Sequence, residues 1–73
     1  PAAMKAVVEH FTSQETPERT MDFDGYRLEF PQWWFNIRPS NTEPYLRFIC
    51  EASSPDLLDV KVAQAREIIK RFE

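Results

Sequence analysis

The spacing of apolar residues changes period twice along this chain, from helical to alternating and back, and that double switch leaves few folds open. In "PAAMKAVVEHF" the residues Met4, Val7, Val8 and Phe11 fall at i, i+3, i+4 and i+7, one stripe of an amphipathic helix. The next runs alternate instead. "RTMDF" and "YRLEF" meet across Asp24-Gly25, and Asp-Gly between short alternating runs predicts a hairpin with a two-residue turn of the I′ type. Met21 and Phe23 on the first strand, with Tyr26, Leu28 and Phe30 on the second, are then expected to form an apolar face.

Pro31-Gln32 predicts a second short turn into "WWFNIR", where Phe35 and Ile37 share a face opposite Trp34, Asn36 and Arg38. After "PSNTEP" comes "YLRFICEA", with Leu46, Phe48, Cys50 and Ala52 on one face and Tyr45, Arg47, Ile49 and Glu51 on the other. Ser54, Pro55 and Asp56 then combine an N-cap, a proline at the first helical position and an early acid. In the helix that follows, Leu58, Val62, Ala65, Ile69 and Phe72 form the expected buried stripe, while Asp59, Lys61, Gln64, Glu67, Lys70 and Arg71 are expected to face mostly solvent. The order helix, four strands, helix predicts one α+β domain over residues 1–73: a two-layer sandwich with a four-stranded, mostly antiparallel sheet and both helices on one face. A chain this short buries only about 60% of its unfolded surface, so its stability is expected to be marginal.

Composition narrows the partners. With 42% apolar residues the chain should pack a core, and a net charge of -3 is poor equipment for a polyanion. Arg27, Arg38 and Arg47 fall on the face away from the helices, but Asp22, Glu29 and Glu51 offset them. A nucleic-acid or protein-interaction module is the alternative class, and nucleic acid is not the expected partner. No apolar run approaches the ~18 residues of a membrane span, so neither membrane nor leader is expected. The single cysteine, Cys50, permits no internal disulfide and fits a cytoplasmic setting. The chain starts at Pro1 without methionine and ends in the helical "IIKRFE", which reads as a cut fragment.

The segment "RPSNTEP" carries the chemistry. Phosphate is tetrahedral and rich in acceptors, so a site for it needs a fork-shaped cation and several short donors. Arg38 supplies the fork, Ser40 and Thr42 supply hydroxyls, and Asn41 supplies an amide and tolerates a left-handed turn. Pro39 and Pro44 stiffen the ends. The same residues are also ordinary turn formers, with Arg38 a solvated arginine at a strand end. Glu43 would repel a phosphate unless it is turned away or paired, and Arg47 is expected to pair with Glu43 or Glu51. Of the two tryptophans, Trp34 is the expected contact with a neighbouring domain; His10 carries no patterned acid or thiol, and Cys50 reads as a small core residue.

From Asp24 through the last helix, "DGYRLEFPQWWFNIRPSNTEPYLRFICEA" resembles the C-terminal domain of the α-D-phosphohexomutases, a TATA-binding-protein-like fold with this same order of elements. The resemblance implies that Arg38, Ser40, Asn41 and Thr42 grip the phosphate of a sugar substrate. Asn41 and the "WWFNIRPSNTEP" wording are more similar to phosphomannomutases and phosphoglucomutases than to phosphoglucosamine mutases, which usually carry glycine there. Such enzymes interconvert hexose 1-phosphate and hexose 6-phosphate through a phosphoserine, with Mg2+ and a hexose 1,6-bisphosphate intermediate. The serine and metal loops of that family lie in other domains, so the resemblance implies no catalytic or metal-binding residue within these 73 residues and no mutase activity from them alone.

Overall fold

A computed structural model describes residues 2–23, 25–39 and 46–72. Helix α1 (Ala2–Gln14) leads into strands β1 (Arg19–Met21), β2 (Tyr26–Glu29), β3 (Trp33–Pro39) and β4 (Leu46–Ala52), and α2 (Pro55–Lys70) follows. The strands form one sheet in the order β1-β2-β3-β4, every neighbouring pair antiparallel. This is the expected α+β order. Ser54 caps α2 as its sequence suggests: its backbone is extended and its side chain accepts the Leu57 N–H at 3.2 Å, ahead of Pro55 and Asp56 in the first turn.

One face of the sheet is covered. Leu28, Phe30, Trp33, Phe35 and Ile37 are buried there beneath Met4, Val7 and Phe11 of α1 and Ala65 and Ile68 of α2. The aromatic rings run as a row: Phe30 stacks on Trp33 at 4.7 Å between centroids, Trp33 lies 5.4 Å from Phe35, and Phe11 meets Trp33 edge-on at 4.8 Å. Each such buried side chain stabilises the fold by about 1.5–3 kcal/mol. Phe30 N–H donates to the Trp33 carbonyl at 2.8 Å, which closes the short Pro31-Gln32 turn and joins β2 to β3.

The first hairpin departs from its sequence signal. A two-residue turn at Asp24-Gly25 would set Met21 opposite Leu28, but the observed partners are Met21 with Arg27 and Thr20 with Leu28. The register is shifted by one residue. Because side chains alternate with period two, this slip carries Met21 to the face of Arg27, away from the helices, and leaves Met21 37% and Phe23 87% exposed instead of in the core. A longer turn ending in glycine at positive φ is the common alternative to the two-residue loop, and Gly25 has φ +123°.

Helix α2 keeps Ala65 and Ile69 of its predicted stripe on the core, but the buried side is wider than that stripe. Ile68 is buried and Leu57 and Ile69 pack on the core, while Phe72 is 51% exposed beyond the helix end. Two polar residues share the inward side. Lys61 lies over the aromatic row, its Nζ 4.8 Å from the Trp33 ring centroid and donating to Gln14 Oε1 at 3.4 Å, and Gln64 reaches His10 of α1. Packing against a second helix as well as the sheet widens the covered side, and it is why Lys61 and Gln64 are not the solvent-facing residues their charge and polarity suggest.

Candidate anion site

The covered face holds no fully buried polar side chain among the described residues, so chemistry has to lie elsewhere. The other face is open. Register assigns its rows. Arg19, Glu29, Trp34 and Glu51 stand side by side near one end; Met21, Arg27, Asn36 and Ile49 form the next row; Arg38 and Arg47 are direct cross-strand partners at the other end.

At the first end Arg27, Glu29, Trp34 and Glu51 are joined by side-chain contacts. The Arg27 guanidinium donates from Nε to Glu29 Oε2 at 3.0 Å and lies 4.0 Å over the Trp34 ring. Trp34 in turn donates from Nε1 to Glu51 Oε2 at 3.1 Å. This chain of contacts ties β2, β3 and β4 together. A shallow depression borders it, lined in part by Glu18, Glu29, Trp34 and Glu51. Its acidic rim is unsuited to a phosphate.

The second end is different. Arg38 and Arg47 sit on the same face of adjacent strands, both exposed, one pair inward from the last pairing of β3 with β4, Pro39 with Leu46. Directly opposed residues place their Cβ atoms about 4.5–5.5 Å apart, and like charges there are destabilising. Two guanidiniums so placed form a pincer for an anion, each able to present two parallel N–H donors to phosphate oxygens. Residues 40–45 link these two strand ends.

The structure therefore brings together Arg38, expected from the loop, and Arg47, which was expected to pair with a carboxylate. Glu51 instead accepts from Trp34, and it lies four residues along β4 from Arg47, beyond side-chain reach on an extended strand. Ser40, Asn41, Thr42 and Glu43 fall outside the described residues. The signal for Arg47 was available as parity, since it shares the outward face of its strand, but its partner could be named only from register.

The remaining expected residues resolve plainly. Trp33 is buried and unable to stack on a ligand, donating from Nε1 to Glu15 Oε1 at 3.2 Å. Trp34 lies on the open face as expected, held by Arg27 and Glu51. His10 Nε2 lies 3.3 Å from Gln64 Oε1 and 3.2 Å from Gln14 Nε2, a polar contact at the α1–α2 seam. Cys50 is half-buried on the covered face, where burial pushes its thiol pKa up, Glu51 adds to that shift and Lys61 opposes it.

Comparison with known proteins places the chain in a family. The chain matches the family described as "Phosphoglucomutase/phosphomannomutase, C-terminal domain" over residues 1–69. The chain belongs to that family. The match takes in α1 as well as the motif-bearing segment from Asp24 onward. Among phosphoglucomutase/phosphomannomutase relatives, the phosphomannomutase of Methanocaldococcus jannaschii is 34% identical over 70 residues, 96% of this chain and 15% of the relative. A probable phosphoglucosamine mutase of Thermococcus gammatolerans is 32% identical over 68 residues, 93% of this chain and 15% of that protein. The phosphomannomutase of Vibrio cholerae is 43% identical over 51 residues, 68% of this chain and 11% of that protein. The chain thus spans less than a sixth of the length of these relatives.

Proposed function

We propose that this chain is the part of a hexose-phosphate mutase that holds a phosphate of the sugar substrate. Arg38 and Arg47 are its two cations, and Ser40, Asn41 and Thr42 its neutral donors. The observation that carries this reading is the Arg38–Arg47 cross-strand pair at the two strand ends that the Ser-Asn-Thr segment connects. A like-charged pair at the mouth of a donor-rich loop gains stability when an anion enters, and costs stability otherwise.

The parent reaction in this reading interconverts hexose 1-phosphate and hexose 6-phosphate, which requires each of two phosphates to be presented in turn. One handle must hold the non-reacting phosphate while the other end of the sugar reacts. A small domain bearing that handle can close over the sugar, exclude water and reopen for release. The other domains of the enzyme are its partners. Among the described residues no three acidic, histidine or cysteine side chains converge. The reacting serine and Mg2+ belong to the rest of the enzyme, and these 73 residues bind without catalysing. Among the described residues no helix is long and apolar enough to cross a membrane, and the unpaired Cys50 suits a cytoplasmic enzyme.

Asn41 favours a phosphomannomutase or phosphoglucomutase parent, while relatives named phosphoglucosamine mutase make the aminosugar the alternative. A backbone-amide titration of the isotope-labelled chain with mannose 1-phosphate, glucose 1-phosphate and glucosamine 1-phosphate tests the reading. Saturable shifts at residues 38–42 and 47, with binding near about -4 kcal/mol, are expected with each sugar phosphate, and none with the free sugars. Arg38→Ala should weaken that binding by about tenfold or more. Shifts that ignore the phosphate, or an affinity unchanged by Arg38→Ala, overturn the assignment. In the full-length enzyme the same substitution should lower kcat/KM by about 2–3 kcal/mol of lost charged hydrogen bonding.

A further inference from the structure

Arg38 has two lateral neighbours, and the second is the chain's single glycine. Tyr26 pairs with Ile37, so Gly25 is the β2-side residue level with Arg38, as Arg47 is on the β4 side. A Cβ on Gly25 would lie 2.5 Å from the Ile37 carbonyl oxygen, 2.7 Å from Arg38 Cβ and 3.0 Å from Arg38 Cα. Two of those three atoms are main chain. They cannot swing aside as the end of a long side chain would, so any L side chain at this position has to displace the hairpin tip or the end of β3. The positive φ of +123° adds a second penalty for L residues.

We propose that Gly25 is a positioning residue for the anion site: its missing side chain lets the β1–β2 hairpin lie directly against Arg38, which sets where that guanidinium leaves the sheet relative to Arg47. This deepens the phosphate-binding reading and rests on it. A guanidinium engages phosphate through parallel N–H bonds whose geometry is narrow, so a shift of the Arg38 main chain weakens the grip without removing any donor. Arg47, one strand further away, keeps its place.

Chemical synthesis of the 73-residue chain allows a test that separates clearance from flexibility. Three versions are compared: wild type, Gly25→Ala, and the same position carrying D-alanine, which accepts positive φ and projects its methyl from the opposite side of Cα. Affinities for inorganic phosphate and mannose 1-phosphate are measured on the folded protein, beside thermal unfolding and the Nε–H resonances of Arg38 and Arg47. Gly25→Ala is expected to bind about tenfold or more weakly, with the Arg38 resonance moved and that of Arg47 little changed. The D-alanine chain is expected to keep wild-type affinity. A Gly25→Ala chain with a lowered Tm but unchanged affinity would show a merely structural glycine and overturn the proposal. Equal losses in the L- and D-alanine chains would overturn it too, since chain flexibility and not clearance would then be what glycine supplies. If wild type itself fails to bind either phosphate, the loop reading falls first and this inference with it.

Discussion

The two ends of the sheet's open face are made of the same strands and similar residue types, yet one is a balanced end that sets arginine against carboxylate and the other sets arginine opposite arginine. Where Glu29, Arg27, Trp34 and Glu51 meet, each charged group has a partner on the chain, and the set locks three strands together. Where Arg38 faces Arg47, two positive groups stand opposite each other at the strand ends. The difference separates two uses of arginine. At the balanced end a guanidinium serves the fold, and at the other end, in the reading proposed above, a pair of them is stabilised by an anion.

The sharpest way to break that contrast is to treat the two ends alike. Removing either cation, by Arg38→Ala or Arg47→Ala, should weaken phosphate binding by about 1.5–3 kcal/mol each, the usual worth of a charge-assisted hydrogen bond. The double variant should lose less than the sum, because both act on one anion. Arg47→Glu sharpens the test further. It turns a like-charged pair into an opposite-charged one, so binding should be lost while unfolding stability rises by about 0.2–1 kcal/mol. Titration calorimetry and urea unfolding on the same samples check both halves. A variant that loses stability along with binding would place Arg47 among the structural arginines.

The opposite pattern is expected at the balanced end. Trp34→Ala should lower stability by about 1–2 kcal/mol through lost burial and lost cation–π contact with Arg27. Phosphate affinity should stay at the wild-type value. A Trp34 variant that binds phosphate poorly while remaining folded would merge the two ends into one functional surface and remove the distinction.

How far each end could be read from sequence follows the same line. Alternation along "WWFNIR" and "YLRFICEA" assigns Trp34, Arg38, Arg47 and Glu51 to one face, and the structure agrees. Parity is a property of a single strand. Which residue stands opposite which is a property of two, and it depends on turn length: only the register shows that Arg38 is the residue opposite Arg47. The first hairpin shows the same limit, because Asp24-Gly25 is a sound turn signal that does not by itself fix whether the loop holds two residues or more. Helix α2 was legible in its start and period. The inward placing of Lys61 and Gln64 was not, since the aromatic row beneath Lys61 and the His10–Gln64 contact depend on where α1 lies.

That register can be tested directly. Met21 lies in the row of Arg27 on the open face, so Met21→Lys should change stability by no more than about 0.5 kcal/mol, the range of ordinary surface substitutions. Burying a lysine in place of a core methionine would cost several times more. Urea unfolding distinguishes the two, and a large loss would restore the two-residue turn and move Met21 under the helices.

The smallest effect concerns Cys50, on the covered side of β4 next to the balanced end. Burial raises its pKa first, and the Glu51 carboxylate adds to the rise against Lys61. The folded protein therefore holds the thiol proton more tightly than the unfolded chain does. Sulfur ionisation costs the fold nothing below the unfolded value of about 8.5, and stability falls as pH climbs from there through the raised folded value. A Cys50→Ala chain should lack this alkaline component, so the difference between the two unfolding curves isolates it. Alkylation at neutral pH should be slower than for a free thiol, with its midpoint moved to higher pH. Fast alkylation with a lowered midpoint would mean that positive charge, not burial and Glu51, governs this part of β4, and the basic character assigned to the Arg38–Arg47 end would then have to extend along the whole strand.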